Sequence, residues 1–412
     1  MEFVADFHIH SKYSRATSKD MDVEHLSLWA KLKGIQLIGS GDFTHHLWLE
    51  ELRSKLEDKG NGLYEYKGIN FILSSEISSI YSKNNKGYRI HNIILAPSFR
   101  TVDKINARLS ALGNLASDGR PILGLDAAEL ARIIFDIDEN CALVPGHIWT
   151  PWFSLFGSMS GFNKIEDCFE EQTPKIFALE TGLSSDPAMN WRWSALDRFS
   201  LISNSDSHSP SKIGREANVF NCELSYKAIM EALRTKDQTK FLYTIEFYPE
   251  EGKYHYDGHR LCGVRFSPQE SKAHKGVCPK CGKHLTIGVM NRVEQLADRP
   301  EGFKPANAIP FKNVIPLDEI IADVKGMGKA SQAVEQEYRG IISKFDTEFE
   351  VLGKVPEEDL RKGMDSRIAE AIIRARQGKV NIAPGYDGEY GKISIFGDDE
   401  KPKKHEEQLS LF

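Results

Sequence analysis

The sequence predicts an α/β barrel with helices covering a ring of strands, and two observations lead to that prediction. Over residues 1–238, short apolar runs of strand character alternate with amphipathic helical stretches. Short clusters of histidine, aspartate or glutamate accompany these runs, and each cluster is interpreted as ending a strand. In a parallel barrel the carboxyl ends of the strands meet at one rim, so such residues converge even when they are distant in sequence.

The elements follow in order. VADF is the first strand, VEHLSLWAKLKG is an amphipathic helix, and QLIG, FILSS and RIHNIIL are the next strands. The helix AAELARIIFDIDEN precedes the strand CALVP, and FAL and LISN are the last apolar runs. A final helix over 226–234 closes the unit, and TKDQTK is interpreted as a linker.

Nine potential metal ligands accompany these strands: His8, His10, Asp42, Glu76, His91, His147, Glu180, Asp206 and His208. Imidazole and carboxylate groups suit Zn²⁺, Mn²⁺ or Fe, and the set exceeds what one ion needs, so two or three ions are predicted. Closely spaced ions commonly serve phosphoester cleavage, because one activates water while another stabilises the leaving oxygen.

Two ligand pairs are the strongest local signals. His8 and His10 are separated by one residue, as are Asp206 and His208. Residues i and i+2 of a strand face the same side, so each pair can serve one ion. A single histidine or aspartate at a strand end is more often a hydrogen-bonded turn residue, and the prediction therefore depends on the whole set. Glu180 is expected to position a neighbour rather than to bind metal.

Length and composition limit the class of protein. A chain of 412 residues, 41% of them hydrophobic, can bury more than one core, and its length suggests two or three domains. It contains neither an apolar run of the ~20 residues that cross a bilayer nor a secretory signal, so a cytoplasmic location without membrane partners is expected. The net charge of −6 does not exclude DNA, because metals at the barrel mouth would add positive charge.

A second metal site is predicted in residues 239–300. Cys278 and Cys281 form a Cys-x-x-Cys pair, and His259 and Cys262 repeat its two-residue gap. This spacing fits a four-coordinate structural zinc, and His255 is the alternative to His259. A redox pair is the other interpretation of Cys-x-x-Cys, but no thioredoxin-like βαβ context surrounds it.

Residues 301–395 are predicted to form a helical, helix-hairpin-helix-like DNA-binding region. Gly326-Met327-Gly328 would join two helices and expose backbone N–H groups that a phosphate can approach, although such turns also simply link helices. The following helices carry a basic face that either contacts DNA or is only solvated, formed by Arg361, Lys362, Arg367, Arg374, Arg376 and Lys379.

The tail, 396–412, begins with a charged run that is expected to be disordered. It ends in QLSLF, whose apolar side chains have nothing local to bury against. Such a segment is typical of a linear motif that inserts into a partner's pocket. It resembles the motif that binds the bacterial sliding clamp, with Gln408 as the hydrogen-bonding anchor and Leu409, Leu411 and Phe412 as its apolar part.

Several segments also resemble known families. DFHIHS and SDSH resemble the first and last motifs of the polymerase and histidinol phosphatase (PHP) superfamily. HIWTPWFSLFGS, DGHRLCGVRF, CPKCGKHLTIGV and the helical region resemble endonuclease Q, over nearly the whole chain. The resemblance implies a PHP-type distorted (β/α)7 barrel. It further implies a DNA repair endonuclease that nicks duplex DNA 5′ to uracil, hypoxanthine, xanthine or abasic sites, leaves a 3′ hydroxyl, and is located at the nucleoid.

The resemblance also suggests how the ligands are shared. His8, His10, Glu76 and Asp206 would hold one ion and form the catalytic core. Glu76 would bridge to a second ion held by His91 and His147, and Asp42 and His208 would serve a third. Gly41-Asp42-Phe43 departs from the superfamily's Thr-Asp-His, so Asp42 or His45 must complete that metal. Zn²⁺ is expected at the cysteine cluster and in the barrel, where Mg²⁺ or Mn²⁺ is the alternative.

Four aromatic residues follow His147 and are expected beside the metals: Trp149, Trp152, Phe153 and Phe156. They either form a hydrophobic lid over the barrel or wall a pocket for an extruded base. Arg15 and Arg192 are candidates for contacting the scissile phosphate.

Two other functions were weighed against DNA cleavage. A small-molecule phosphoesterase, such as a histidinol-phosphate or nucleotide phosphatase, would need no zinc module, basic helices or clamp peptide. A clamp-tethered DNA-binding adaptor with an inactive barrel would not need the near-complete ligand set.

Overall fold

The computed structural model of the chain describes residues 2–397 and Glu400. The chain divides into two compact units. The first comprises Met1–Asn313 and Pro384–Gly391, and the second comprises Val314–Ala383 and the described residues from Lys392 onward. The four-part division predicted from the sequence stays a proposal.

The strands of the first unit are β1 (Glu2–Asp6), β2 (Leu37–Gly39), β3 (Glu57–Asp58), β4 (Tyr64–Tyr66), β5 (Ile69–Lys83), β6 (Lys86–Ala96), β7 (Ile122–Leu123), β8 (Ala142–Pro145), β9 (Ala178–Glu180), β10 (Ser200–Ile202), β11 (Ala217–Asn221), β12 (Phe241–Glu246), β13 (Asp257–His259), β14 (Val264–Phe266) and β15 (Phe311–Asn313). Its helices are α1 (Val23–Lys33), α2 (His46–Lys55), α3 (Phe99–Ser110), α4 (Ala127–Ile137), α5 (Ile165–Phe169), α6 (Pro187–Asn190), α7 (Tyr226–Thr235), α8 (Pro268–Ala273) and α9 (Val289–Leu296).

The predicted α/β fold is confirmed, and its ring of strands is distorted. β1, β2 and β5 are parallel, β5, β6 and β8 are antiparallel, and β9 lies beside β8 and parallel to β10. A parallel bridge between Ile9 and Ser207 joins the residues that follow β1 to those that follow β10, which closes the ring. The strands of the ring are therefore not all parallel, because a long β5–β6 hairpin forms one wall.

The sheet continues beyond the predicted barrel boundary at residue 238. β11 pairs antiparallel with β1 and with β12, and β12 pairs in parallel with β15. The interior of this layer is apolar, which is why the short strands stay in place. Its fully or almost fully buried side chains include Phe3, Phe7, Leu37, Ile72, Ile93, Leu95, Val144, Ile202, Phe220 and Phe241.

The second unit contains the helices α10 (Leu317–Lys325), α11 (Gln332–Phe345), α12 (Glu357–Gly363) and α13 (Ser366–Arg376), and the antiparallel strands β16 (Asn381–Ala383) and β17 (Lys392–Ser394). The predicted helix–turn–helix around Gly326 is confirmed. Gly326 has a φ of 63° and ends α10 by donating its N–H to Asp323.

Two further expectations from the sequence concern the tail and membrane-spanning helices. The clamp-like motif at Gln408–Phe412 lies outside them. Among the residues that the structure does describe, no helix is both long and apolar enough to span a membrane.

Candidate metal centre

Some candidate ligands follow the end of a strand, and others lie in the middle of one. His8 and His10 directly follow β1, and Asp206 follows β10 after three intervening residues. Glu76 and His91, however, lie in the middle of β5 and β6. The prediction that each ligand ends a strand is wrong for these two, because the β5–β6 hairpin extends past the barrel rim and crosses the site.

One group of side chains converges on the Oε2 atom of Glu76. Nε2 of His10 lies 3.3 Å from this oxygen and 3.1 Å from Oδ1 of Asp206. Nε2 of His8 lies 3.6 Å and 3.7 Å from the same two oxygens. The four ligand atoms lie within 4.8 Å of one another, so they can hold one metal ion.

A second group converges on the other oxygen of Glu76. Nδ1 of His91 lies 2.7 Å from Oε1 of Glu76, and Nε2 of His147 lies 3.2 Å from it. The two imidazole nitrogens are 3.1 Å apart. These three side chains can hold a second ion, and the carboxylate of Glu76 then has one oxygen directed at each group.

Two carboxylates orient the imidazoles of His8 and His10 by contacting the ring nitrogens that face away from the metal groups. Glu180 contacts Nδ1 of His8 at 3.0 Å, and Asp42 contacts Nδ1 of His10 at 3.1 Å. Each pairing leaves Nε2 directed at the metal group, as is common for metal-binding histidines. Glu180 also accepts the backbone N–H of His147 at 2.8 Å, so one buried carboxylate supports both groups.

Asp42 and His208 are not brought together with a third ligand. Besides contacting His10, Asp42 accepts the backbone N–H and the hydroxyl of Ser11 and the hydroxyl of Ser14, at 2.7, 2.7 and 2.8 Å. Among the described residues, the groups that can hold a metal include neither Asp42 nor His208. The geometry therefore gives no support to a third ion at these residues.

The alternative third-metal ligand, His45, has other neighbours. Its ring stacks on Tyr13, with centroids 4.5 Å apart, and on His46 at 5.2 Å. Among the described residues, His45 belongs to no ligand group that can hold a metal. The histidine is part of an aromatic stack.

At several site residues the neighbouring charges and burial shift the pKa in opposite directions. Burial lowers the pKa values of His8 and His10, but the surrounding carboxylates raise them more, so both stand well above the ordinary histidine value. Burial raises the pKa of Asp206, but the two imidazoles outweigh it and lower the pKa below the ordinary aspartate value. Burial lowers the pKa of His91 to about 4, so this ligand is neutral at pH 7.

One arginine at the site was not singled out from the sequence. Arg120 donates from Nη1 to Oε2 of Glu76 at 3.1 Å, and its side chain is 27% exposed. It lies in the loop before β7, where no local pattern distinguishes it from a surface arginine. Of the two arginines that were singled out, Arg15 is exposed and pairs with Asp118, whereas Arg192 is buried and pairs with Glu294.

The four aromatic residues after His147 divide into two pairs. Trp149 and Phe156 are 1% and 0% exposed, and Nε1 of Trp149 donates to Asn190. They belong to the core. Trp152 and Phe153 are half-buried, and the Phe153 ring lies 5.0 Å from that of His91. Of these four rings, the half-buried one of Phe153 lies beside a candidate ligand.

The cysteine cluster forms a separate site. His259, Cys262, Cys278 and Cys281 have ligand atoms within 4.8 Å of one another, and the cysteines are free thiols. Gly263 and Gly282 follow two of the cysteines at φ of 59° and 74°, conformations that favour glycine. These four side chains can hold a metal ion. His255 is not one of these four ligands: its side chain is buried and contributes no ligand atom to the cluster.

The basic face of the second unit is largely paired within that unit. Arg361 and Arg374 contact Glu370, and Lys362 contacts Glu358. Arg376 donates to the backbone carbonyls of Val351, Leu352 and Val355 at 2.6, 3.1 and 2.7 Å. These hydrogen bonds fasten α13 to the segment before α12.

The chain is similar to proteins from archaea and from a bacterium; the uncharacterized protein YqxK of Bacillus subtilis is 29% identical over 94% of this chain and 98% of that protein. A family model described as the MJ0043 C-terminal domain matches residues 316–379. The uncharacterized protein MJ0043 of Methanocaldococcus jannaschii is 35% identical over 284 residues, which are 65% of this chain and 34% of that protein. The chain thus spans about a third of the length of this relative.

Two solved structures match nearly the whole chain. One is the lesion-specific endonuclease PfuEndoQ from Pyrococcus furiosus, with a TM-score of 0.87 and 32% identity, covering 98% of both chains. The other is endonuclease Q in complex with a 27-mer duplex that has an abasic lesion at the active site. Its TM-score is 0.86 at 32% identity, covering 98% of this chain and 99% of the other.

Proposed function

The chain belongs to the endonuclease Q family of lesion-specific endonucleases, and on this premise we propose that it nicks duplex DNA on the 5′ side of deaminated bases and abasic sites. The observation that most strongly supports this proposal is the position of the Glu76 carboxylate, whose two oxygens face two separate ligand groups. That arrangement suits paired metal ions acting on one phosphodiester. A DNA substrate would place the enzyme in the cytoplasm, at the nucleoid.

The donor set fits metal ions. Nε2 of His8 is buried, has no hydrogen-bond partner among the described residues, and faces two carboxylates. We propose that His8, His10, Glu76 and Asp206 hold one ion and that Glu76, His91 and His147 hold another. Zn²⁺, Mn²⁺ or Mg²⁺ bound there would activate water and stabilise the leaving oxygen. At the cysteine cluster, thiolate ligands favour a structural Zn²⁺.

The protein's own contribution is orientation and charge. Glu180 and Asp42 orient the imidazoles of His8 and His10 and would fix their tautomer once a metal is bound, and Arg120 adds a positive charge next to Glu76. In the hydrolysis, an oxygen from water bonds to phosphorus and the bond from phosphorus to the 3′ oxygen breaks. The products are a 3′ hydroxyl on one nucleotide and a 5′ phosphate on the damaged nucleotide. No side chain of the site is needed as a nucleophile.

Recognition of the lesion is proposed to involve the accessible aromatic pair, Trp152 and Phe153. A base in a duplex must leave the stack to be read, which costs a few kcal/mol and least for a mispaired base. The half-buried Phe153 ring lies beside His91, and Trp152 is its half-buried neighbour in sequence, so the pair offers a surface for an extruded base or a wedge in the duplex. Uracil, hypoxanthine and xanthine share a carbonyl in place of an amino group, so a single backbone N–H donor would suit all three.

A second candidate is a small-molecule phosphoesterase, since the same ligand groups could hydrolyse a phosphomonoester. The family membership and the additional cysteine cluster favour DNA. The test is incubation with Mg²⁺ or Mn²⁺ and a labelled duplex that contains one uracil, hypoxanthine or abasic site. We expect one nick 5′ to the lesion. An intact duplex together with hydrolysis of histidinol phosphate would favour the second candidate.

We also propose that Gln408–Phe412 binds a bacterial sliding clamp. The support is its sequence alone, in which a polar anchor precedes apolar residues at the end of a charged tether. A chain ending at residue 407 should lose binding to an immobilised clamp while it retains nicking of a short duplex. Equal clamp binding by both chains would contradict the proposal.

A further inference from the structure

A connected line of aromatic and cationic side chains begins at the metal centre. Its first member, Phe153, lies between the His91 ring at 5.0 Å and the Arg89 guanidinium at 5.5 Å. The backbone of Phe153 has a φ of 62°, which is unfavourable for a bulky residue. A hydrogen bond of 3.1 Å from its N–H to the Ser160 hydroxyl supports this conformation. The ring is thus held at the site despite a backbone cost.

The line continues along the chain to Trp152 and from there through a ring contact. Trp152 adjoins Phe153 in sequence, and its ring meets that of Tyr254 edge to face at 5.7 Å. Nζ of Lys253 lies 5.7 Å from the centre of the Tyr254 ring and 5.8 Å from that of Tyr390. Tyr390 is 77% exposed, so a large aromatic face is presented to solvent.

The line ends beside the cysteine cluster. Arg260 lies near Tyr254, because both side chains approach Gly388. A Cβ atom placed on Gly388 would lie 3.4 Å from the Arg260 guanidinium and 4.0 Å from the Tyr254 hydroxyl. Arg260 stands next to His259 in sequence, and its side chain is 55% exposed, with Glu389 at 4.0 Å. Phe153, Trp152, Tyr254, Lys253, Tyr390 and Arg260 are called the aromatic strip below.

The segment that carries Lys253, Tyr254 and Arg260 is rich in cations in an acidic protein. Residues 253–292 contain eight lysines and arginines and two acidic residues, whereas the whole chain has a net charge of −6. Asp387 and Glu389 next to Tyr390 are acidic, so a phosphate would be attracted to Lys253 and Arg260 in particular. Rings that alternate with cations are the arrangement with which proteins hold unpaired nucleotides, since bases stack on the rings and phosphates meet the cations.

We propose that the aromatic strip binds unpaired nucleotides of the damaged strand next to the scissile phosphate. This inference rests on the proposed function, because a DNA strand at the metal centre is its starting point. The strip begins at the ligand His91, so a strand whose phosphate is at the metals continues directly onto Phe153 and Trp152. Tyr254 and Tyr390 then receive the following bases, while Lys253 and Arg260 face the backbone.

The experiment measures DNA binding separately from cleavage. All variants carry Asp206→Asn so that the DNA stays intact, and binding of a uracil-containing duplex and of a short single strand is followed by fluorescence anisotropy. Tyr390→Ala and Tyr254→Ala should each weaken binding about tenfold, as expected for loss of one stacked base. Tyr390→Phe should bind like the parent, because its ring is retained. Tyr66→Ala is the control, since the Tyr66 ring has Lys67 at 5.1 Å on another part of the unit.

A second readout is the fluorescence of the tryptophans, which should be quenched by the single strand and less so in Trp152→Phe. The inference is overturned if Tyr390→Ala and Tyr254→Ala bind both DNAs as tightly as Tyr66→Ala. Cleavage is judged on the chain with Asp206 intact. If that chain nicks no lesion while the strip variants still lose binding, the proposed function fails and the strip remains a DNA-binding surface.

Discussion

The carboxylate of Glu180 lies 3.0 Å from Nδ1 of His8, although 172 positions separate the two residues in the chain. This contact fixes the imidazole so that Nε2 is directed at Glu76 and Asp206. Asp42 does the same for His10. The site therefore consists of ligands and of carboxylates that orient them, and the first predictions follow from that division.

Glu180→Gln is expected to weaken metal binding about 10- to 100-fold, which is the usual effect of removing a carboxylate behind a metal-binding histidine. The carboxylate of Glu180 accepts hydrogen bonds from the backbone N–H of His147 and from His8. The NH₂ group of a glutamine would face one of these donors and could not accept its hydrogen bond. Calorimetric titration of the metal-free protein measures the change. Glu57→Gln, at an exposed position on β3, is the control. An affinity equal to that of the control would show that Glu180 does not orient a ligand.

Asp42→Asn distinguishes a positioning residue from a ligand of a third ion. The hydrogen bonds of Asp42 to Ser11, Ser14 and His10 predict weaker binding but the same number of ions at saturation. Native mass spectrometry at saturating Mn²⁺ counts those ions. Loss of one ion per chain relative to the unsubstituted protein would instead restore Asp42 as a ligand.

Metal affinity is expected to rise as the pH increases above the ordinary histidine pKa of 6.5. The pKa values of His8 and His10 stand well above the ordinary histidine value in the metal-free site, because the neighbouring carboxylates outweigh burial. Both imidazoles must therefore lose protons when an ion binds. Calorimetry in buffers of different ionisation enthalpy should detect this proton release. Affinity that is independent of pH, with no proton released, would contradict the assignment of these ligands.

Arg376→Ala tests the second unit. It removes hydrogen bonds to three backbone carbonyls, and we expect the free energy of unfolding to fall by about 2 kcal/mol. Urea denaturation measures this value, and Lys379→Ala, at an exposed position just after α13, is the control. Unchanged stability combined with weaker DNA binding would mean that Arg376 contacts DNA rather than fastening α13.

The sequence indicated the ligands better than their supports. His8 and His10 could be paired because a spacing of two in an extended segment places both side chains on one face. The hairpin position of Glu76 and His91 was missed, since an apolar run does not show whether a strand ends at the barrel rim or crosses it. Arg120 was missed because its contact with Glu76 depends on a loop that lies 44 positions away.

The central claim is that the Glu76-bridged ligand groups cleave DNA at lesions, and Asp206→Asn tests it most directly. The unsubstituted and substituted proteins are incubated with Mn²⁺ and a labelled duplex containing one uracil, and nicking and binding are measured in parallel. We expect the substituted protein to bind the duplex but to produce no nick 5′ to the uracil, because one of the two carboxylates between the imidazoles is lost. Nicking at the rate of the unsubstituted protein would contradict the account.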